Sequence, residues 1–107
     1  MEAMNIGRAA AQTGWSERML RYIERTGLVV PDRTASGYRR YGLQELNQLR
    51  SLRELLRRFG IEISDVALAA RLRRDEALRA ALDSWLAGME LDALEWEQAK
   101  HERLLAA

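Results

Sequence analysis

Cysteine is absent from the 107 residues, and histidine, phenylalanine and proline occur once each. Without thiols the chain can form neither disulfides nor thiolate metal sites, which fits a cytosolic protein. The one histidine, His101, has Glu97 and Glu102 for neighbours. A single imidazole beside exposed carboxylates falls short of a cysteine-free metal site, so neither metal nor cofactor is expected. No apolar run approaches the ~18 residues of a membrane-crossing helix, and no apolar signal segment opens the chain. Internal repeats and low-complexity tracts are missing as well. The acid-rich run Glu90, Asp92, Glu95 and Glu97 has no nucleophile or cleft signal beside it and reads as a solvated helix face. An enzyme is not expected, since this length accommodates one compact domain and one appended element, with no separate catalytic domain.

What is present is unevenly distributed. At 48% hydrophobic and 31% charged residues the composition is that of a foldable, soluble chain with a net charge of +1. Residues 1–60 carry eleven Arg against six Asp and Glu, whereas residues 61–107 carry six Lys and Arg against ten Asp and Glu. The first stretch is therefore at +5 and the second at −4. A basic first half is the electrostatic footprint of a nucleic-acid surface, and an acidic second half would be repelled by the same partner.

Two nearby segments give that footprint a shape. In Trp15-Ser16-Glu17-Arg18-Met19-Leu20-Arg21-Tyr22-Ile23-Glu24-Arg25, helical periodicity puts Arg18, Arg21, Tyr22 and Arg25 on one face and Met19, Leu20 and Ile23 on the other. Ser16 suits the N-cap, its hydroxyl accepting from the amide of Arg18 or Met19, and Gly27 suits the left-handed position past the end. An arginine near the start of such a helix can pair two acceptors at once, on a guanine edge or on a phosphate. The second segment, which closes on Gly37-Tyr38-Arg39-Arg40-Tyr41, reads as a hairpin, with Leu28-Val29-Val30 as one arm, Pro31, Asp32, Ser36 and Gly37 in the turn, and Tyr38 to Tyr41 as the return. Alternation sets Tyr38 and Arg40 on one side and Arg39 and Tyr41 on the other, so one aromatic can anchor the hairpin while an arginine points outward toward a phosphate backbone.

Upstream, Asn5 caps a first helix through Ile6, Ala9 and Ala10 that Thr13-Gly14 closes, giving helix-turn-helix spacing with the arginine-bearing helix. Downstream, a helix from about Leu43 to Phe59 collects Leu46, Leu49, Leu52, Leu56 and Phe59 on one face and ends at Gly60. Ser64 is the expected N-cap of a further helix through about Ala70, with Ile63 and Leu68 as a hydrophobic staple. The last third carries the stripe Leu78, Leu82, Trp85, Leu86, Met89, Ala93, Trp96 and Leu104, stepping by threes and fours. Such a seam is longer than a small domain needs to cover its own core, and a partner helix is its natural cover. Gly88 inside it costs on the order of 1 kcal/mol relative to alanine and marks a close approach or a weak point.

Together these segments resemble the MerR family of bacterial transcription regulators, over nearly the whole chain. Met4-Asn5-Ile6-Gly7-Arg8-Ala9-Ala10 resembles the family's opening, which makes Met4 a candidate initiator beside Met1. Arg18 through Leu28 resembles its recognition helix, and Gly37 through Tyr41 its wing. One departure is Ile23, where the family usually carries a second aromatic. The resemblance implies a mainly α fold: a winged helix-turn-helix DNA-binding domain, residues 1–72, followed by a long dimerisation helix, residues 73–107, paired as an antiparallel coiled coil in a homodimer. It further implies double-stranded DNA as partner, read at a near-palindromic promoter operator that the dimer bends and untwists for RNA polymerase, in the bacterial cytoplasm at the nucleoid.

On that resemblance the expected DNA-binding residues are Ser16, Arg18, Arg21, Tyr22, Arg25, Tyr38, Arg39, Arg40 and Tyr41, and the expected dimer interface is the stripe from Leu78 to Leu104. Metal-sensing relatives continue into a cysteine-bearing loop and drug-sensing ones into a ligand domain. With the residues ending at Ala107, the expectation is a short member without a C-terminal effector domain, and no small-molecule effector is indicated. Trp85, Met89 and Trp96 could line a pocket at the dimer interface, but aromatic stripes at helical spacing are mostly packing. Two rivals share the winged helix: a DNA-architectural factor resembling phage excisionases, and an adaptor whose cationic face binds acidic side chains of a protein partner.

Overall fold

Side-chain caps at one end and left-handed glycines at the other delimit the first two helices. In the computed structural model, which describes residues 2–106, these are α1 (Ile6–Thr13) and α2 (Glu17–Thr26). They are followed by β1 (Asp32–Arg33), β2 (Arg39–Arg40), α3 (Leu43–Phe59), α4 (Ile63–Arg74) and α5 (Glu76–Ala106). Met1 and Ala107, the outer bounds of the two expected domains, and with Met1 one candidate initiator, lie outside the described residues.

The Asn5 carboxamide oxygen accepts from the Arg8 amide at 2.9 Å, and Ser16 Oγ accepts from the Met19 amide at 3.1 Å. Gly14 and Gly27 close the two helices at φ 79° and 78°. The positive φ favours glycine at Gly14, and a Cβ there would also push the Arg53 guanidinium aside. Trp15, in the same turn, donates its indole N–H to the Leu49 carbonyl at 2.9 Å, tying the helix-turn-helix to α3.

The hairpin forms, but its first arm is not Leu28–Val30. Val29 and Pro31 are buried and Leu28 packs against the core, so this stretch serves as core filling, and Pro31 has no amide to give a ladder. Pairing begins one residue later, with Asp32 opposite Arg40 and Arg33 opposite Arg39. Thr34 organises the turn: its carbonyl accepts from the Gly37 amide at 2.9 Å and its hydroxyl from the Tyr38 amide at 3.1 Å. Met4 extends the hairpin through reciprocal backbone bonds with Tyr41, both 2.8 Å.

One core sits beneath these elements: Ala9, Leu20, Ile23, Val29, Tyr41, Leu46, Leu49, Leu52 and Ile63, contributed by α1, α2, the hairpin, α3 and the start of α4. Leu20, Ile23, Leu46 and Leu49 are essentially free of solvent, each stabilising the fold by roughly 1.5–3 kcal/mol. Phe59 departs from its expected place: at the last turn of α3 the helix has run past the core, and the ring is exposed with the Arg58 guanidinium 5.1 Å from its centroid. The cap of α4 differs too. Asp65 accepts from the Glu62 amide at 2.8 Å, so the helix opens at Ile63 without Ser64, and it runs to Arg74 rather than ending near Ala70. Ile63 is buried while Leu68 is exposed.

The chain divides into two compact units between Ala70 and Arg71. In the second, Asp75 follows α4 and accepts from the Leu78 amide at 3.0 Å, opening α5. That bond, followed by the Arg71 guanidinium, holds the Asp75 carboxyl below its ordinary range. None of the described side chains of α5 is buried.

Candidate nucleic-acid interface

The two faces of α2 separate as helical periodicity requires. Leu20 and Ile23 are at 1% and 0% exposure, and Met19 is half-buried against the core. Arg18, Arg21 and Arg25 stand in solvent on the other side. Tyr22 lies between, its ring partly buried against the core, with the Arg25 guanidinium 5.7 Å from the ring centroid. Arg21 pairs with Glu17 one turn back at 3.6 Å, an exposed contact worth a few tenths of a kcal/mol, roughly 0.3–0.5. Among the described residues Arg18, Arg25 and Arg40 have no carboxylate within ion-pair distance. The Ser16 hydroxyl is exposed while it caps the helix.

The hairpin sorts its side chains by alternation, and two of the expected contact residues change role. Tyr41 is a core residue at 1% exposure, so its hydroxyl is not available to a phosphate. Its ring fills the space between the hairpin and the core helices, and the buried hydroxyl has no hydrogen-bond partner among the described residues. Burial, with the Glu24 charge adding to it, pushes the Tyr41 phenol above its ordinary range. Arg39 is also turned inward. Its Nε and Nη2 each donate to one Glu24 carboxylate oxygen at 3.1 Å, a two-point fork that leaves the side chain about one-quarter exposed. The bonds to Glu24 raise the Arg39 pKa. On the outward side stand Tyr38, at 73% exposure, and Arg40.

Glu24 was not among the expected site residues, and neither was Arg33. Arg33 Nη2 donates to the same carboxylate, at 3.1 Å and 3.4 Å to its two oxygens, while its Nη1 donates to the Gly37 carbonyl at 2.9 Å. One carboxylate of α2 thus grips both strands of the hairpin, fixing the hairpin against the arginine-bearing helix. The signal was present in the sequence: Glu24 lies one step round the helix from Arg21, at the border between the cationic face and the core face, which is where a docking element needs a counter-charge.

In α5 the expected interface residues line one side of the helix. Leu78 and Leu82 are partly exposed, and Trp85, Leu86, Met89, Ala93, Trp96 and Leu104 are exposed. Lys100 interrupts the line, its ammonium 5.4 Å from the Trp96 centroid. Leu91, Leu94 and Leu105, all exposed by 60% or more, lie on the opposite side and were not singled out. Among the described residues no group of three His, Asp or Glu side chains is arranged to hold a metal, and no helix is long and apolar enough to cross a membrane.

Residues 4–72 match the family described as MerR HTH family regulatory protein. The chain is 41% identical over 81 residues to the HTH-type transcriptional regulator HmrR of Sinorhizobium medicae, covering 75% of this chain and 54% of that protein. It is 34% identical over 79 residues to the HTH-type transcriptional regulator CueR of Salmonella typhimurium, covering 73% and 56%. The chain thus spans about half the length of the curated relatives it matches. A solved structure of similar fold is HiNmlR, described as a regulator lacking the sensor domain, bound to promoter DNA. It superposes with a TM-score of 0.54 at 24% identity, over 98% of this chain and 94% of that one.

Proposed function

The chain belongs to the MerR family of helix-turn-helix regulatory proteins, and on that premise we propose that it is a transcription regulator that grips a near-palindromic promoter operator as a homodimer and distorts the DNA between its half-sites. The observation that carries this reading is the cationic face of α2, with Arg18, Arg21 and Arg25 in solvent, beside a hairpin that aims Tyr38 and Arg40 outward. Arg18 and Arg21 serve the major groove and its flanking phosphates, where the guanidinium fork matches a guanine edge or a phosphate. Tyr22 and Arg25 set the helix on the backbone, and Tyr38 and Arg40 lay the wing along the adjoining phosphates. Arg39 acts indirectly, by holding the wing to α2 through Glu24.

Residues 1–72 form the DNA-binding domain in this reading and residues 73–107 the dimerisation helix. The 31 residues of α5 extend about 46 Å at 1.5 Å per residue. The uncovered line from Leu78 to Leu104 is an apolar seam of the kind that a second copy covers in a coiled coil. Two DNA-binding domains on one symmetric scaffold read two half-sites, and their grip on both sides offsets the few kcal/mol that deforming the intervening DNA costs, on the order of 1–6. RNA polymerase at the distorted promoter is the partner that follows.

Selection of bound fragments from a random double-stranded DNA library tests the reading. An enriched inverted repeat is the expected outcome. No enrichment, or binding that decays uniformly with salt for every sequence, would overturn it. A monomer by light scattering at micromolar concentration would remove the dimer.

A further inference from the structure

Of the other arginines of the α2 face and the wing, Arg18, Arg25 and Arg40 have no carboxylate partner among the described residues and Arg21 pairs only within its own helix, with Glu17, yet two arginines of the hairpin are held by one carboxylate of α2. Glu24 presents both oxygens to Arg39 in a two-point fork, 3.1 Å to Nε and 3.1 Å to Nη2, and both again to Arg33 Nη2. This is the geometry with which a guanidinium takes a phosphate. The carboxylate is largely withdrawn from water, at 16% side-chain exposure, against 47% for Arg33 and 23% for Arg39. Arg33 has a further bond, from Nη1 to the Gly37 carbonyl, so both of its terminal nitrogens are engaged.

Resting on the DNA-binding reading above, we propose that Glu24 is an internal stand-in for a DNA phosphate. It occupies Arg33 and Arg39 so that, of the three wing guanidiniums, only that of Arg40 is left unengaged, which keeps sequence-independent binding weak. Three guanidiniums within reach of a backbone would give the hairpin a strong and indiscriminate hold, because phosphate contacts position a protein on DNA without reading its sequence. With both held by Glu24 and one of their two charges cancelled, the charge-driven part of the affinity falls, and the contacts of α2 decide a larger share of the total. Glu24 is thereby a specificity-determining residue that acts through the arginines it holds. The same grip sets the angle of the wing.

The test is the salt dependence of binding to a duplex of random sequence, about three helical turns long, compared with an operator selected as above. Each phosphate newly neutralised by an arginine steepens log K against log salt by about 0.9, which corresponds to roughly eightfold tighter binding at 0.1 M relative to 1 M salt. Glu24→Gln is expected to steepen the random-duplex slope by one to two such steps and to narrow the ratio of operator to random affinity. Glu54→Gln, which makes the same change in net charge at an exposed site on α3, is expected to leave the slope alone. Arg33→Gln, at a half-exposed position, supplies a second arm: no change in slope beside Glu24, and a drop of about 0.9 in the Glu24→Gln background. Weaker binding of Glu24→Gln to both duplexes at an unchanged slope would overturn the inference, leaving Glu24 a purely structural strut. A drop in slope from Arg33→Gln with Glu24 intact would overturn it as well, since Arg33 would then be touching phosphate already. Failure of the wild-type protein to bind either duplex at low salt would overturn the DNA-binding reading itself, and this inference with it.

Discussion

The helices α2 and α5 both carry large apolar side chains, and the chain treats them in opposite ways. The apolar side of the ten-residue α2 is packed on the core, with Leu20 at 1% and Ile23 at 0% exposure, whereas in the 31-residue α5 Trp85 and Trp96 remain 62% and 60% exposed. Helices draw most of their stability from packing an apolar face, so a short helix with two good caps and a covered face is defined from within the chain. Length does not replace that cover. A line of large apolar side chains left in water is the mark of an interaction surface, since monomeric proteins rarely expose such patches. On the proposed dimer, the comparison separates what the chain accomplishes alone from what it accomplishes with a second copy.

Substitutions at the two kinds of site should therefore fail in different currencies. Leu49→Ala opens a cavity among α1, α2 and α3 and is expected to cost about 2–5 kcal/mol in urea unfolding, at any protein concentration. A loss below about 1 kcal/mol would mean that this core is not what holds the helix-turn-helix together. Trp85→Ala should leave that core intact and loosen self-association by about 2 kcal/mol or more, close to thirtyfold in the dimer dissociation constant by sedimentation equilibrium. Leu91→Ala sharpens the contrast, because Leu91 lies on the other side of α5 and should leave the dissociation constant unchanged. If Leu91→Ala matters as much as Trp85→Ala, the seam has been assigned to the wrong side of the helix.

On α2 the covered face can be left alone and the bare one altered. Arg18→Ala removes a solvent-exposed guanidinium that makes no ion pair among the described residues, so the fold should not register it, while operator binding weakens by about 1–3 kcal/mol. Equal melting temperature and weaker binding in a titration are the expected pair of results. Unchanged affinity would take Arg18 out of the interface.

The same division explains what could be read in advance. Asn5, Ser16, Gly14, Gly27 and Gly60 act through their own backbone neighbours, so the bounds of α1, α2 and α3 follow from local rules. The inward turn of Tyr41 and Arg39 follows from strand alternation, but alternation does not say which of the two sides meets the core. That depends on Val29, Pro31 and Ile23 lying beneath the hairpin, a tertiary fact. The double grip of Glu24 on Arg33 and Arg39 joins residues nine and fifteen positions apart, beyond any helical or strand period. The cap of α4 misled for a different reason. Ser64 and Asp65 are both good capping residues, and the carboxylate reaches back to the Glu62 amide, so the helix opens at Ile63, two residues sooner than a Ser64 cap would allow.

Tyr41 supplies the smallest expected effect and the finest test of the covered region. Its hydroxyl is buried without a partner, and a buried polar group in that state costs the fold about 1–3 kcal/mol of lost hydration. Tyr41→Phe keeps the ring and removes the unpaired group, so it should stabilise the protein by about 1 kcal/mol at neutral pH. The sign with pH follows from the raised phenol. A group whose pKa is higher folded than unfolded contributes its stability below the unfolded value, about 10 for tyrosine, and loses it as pH rises through the folded value. Wild-type stability should accordingly decline above pH ~10 by a component that Tyr41→Phe lacks, and the gap between the two proteins in urea unfolding should widen there. A destabilised Tyr41→Phe would show that the hydroxyl has a partner in solution. The nearest charged groups, Glu24 and Arg39, are also the ones that fix the wing, so the gap would then measure the coupling between wing and core.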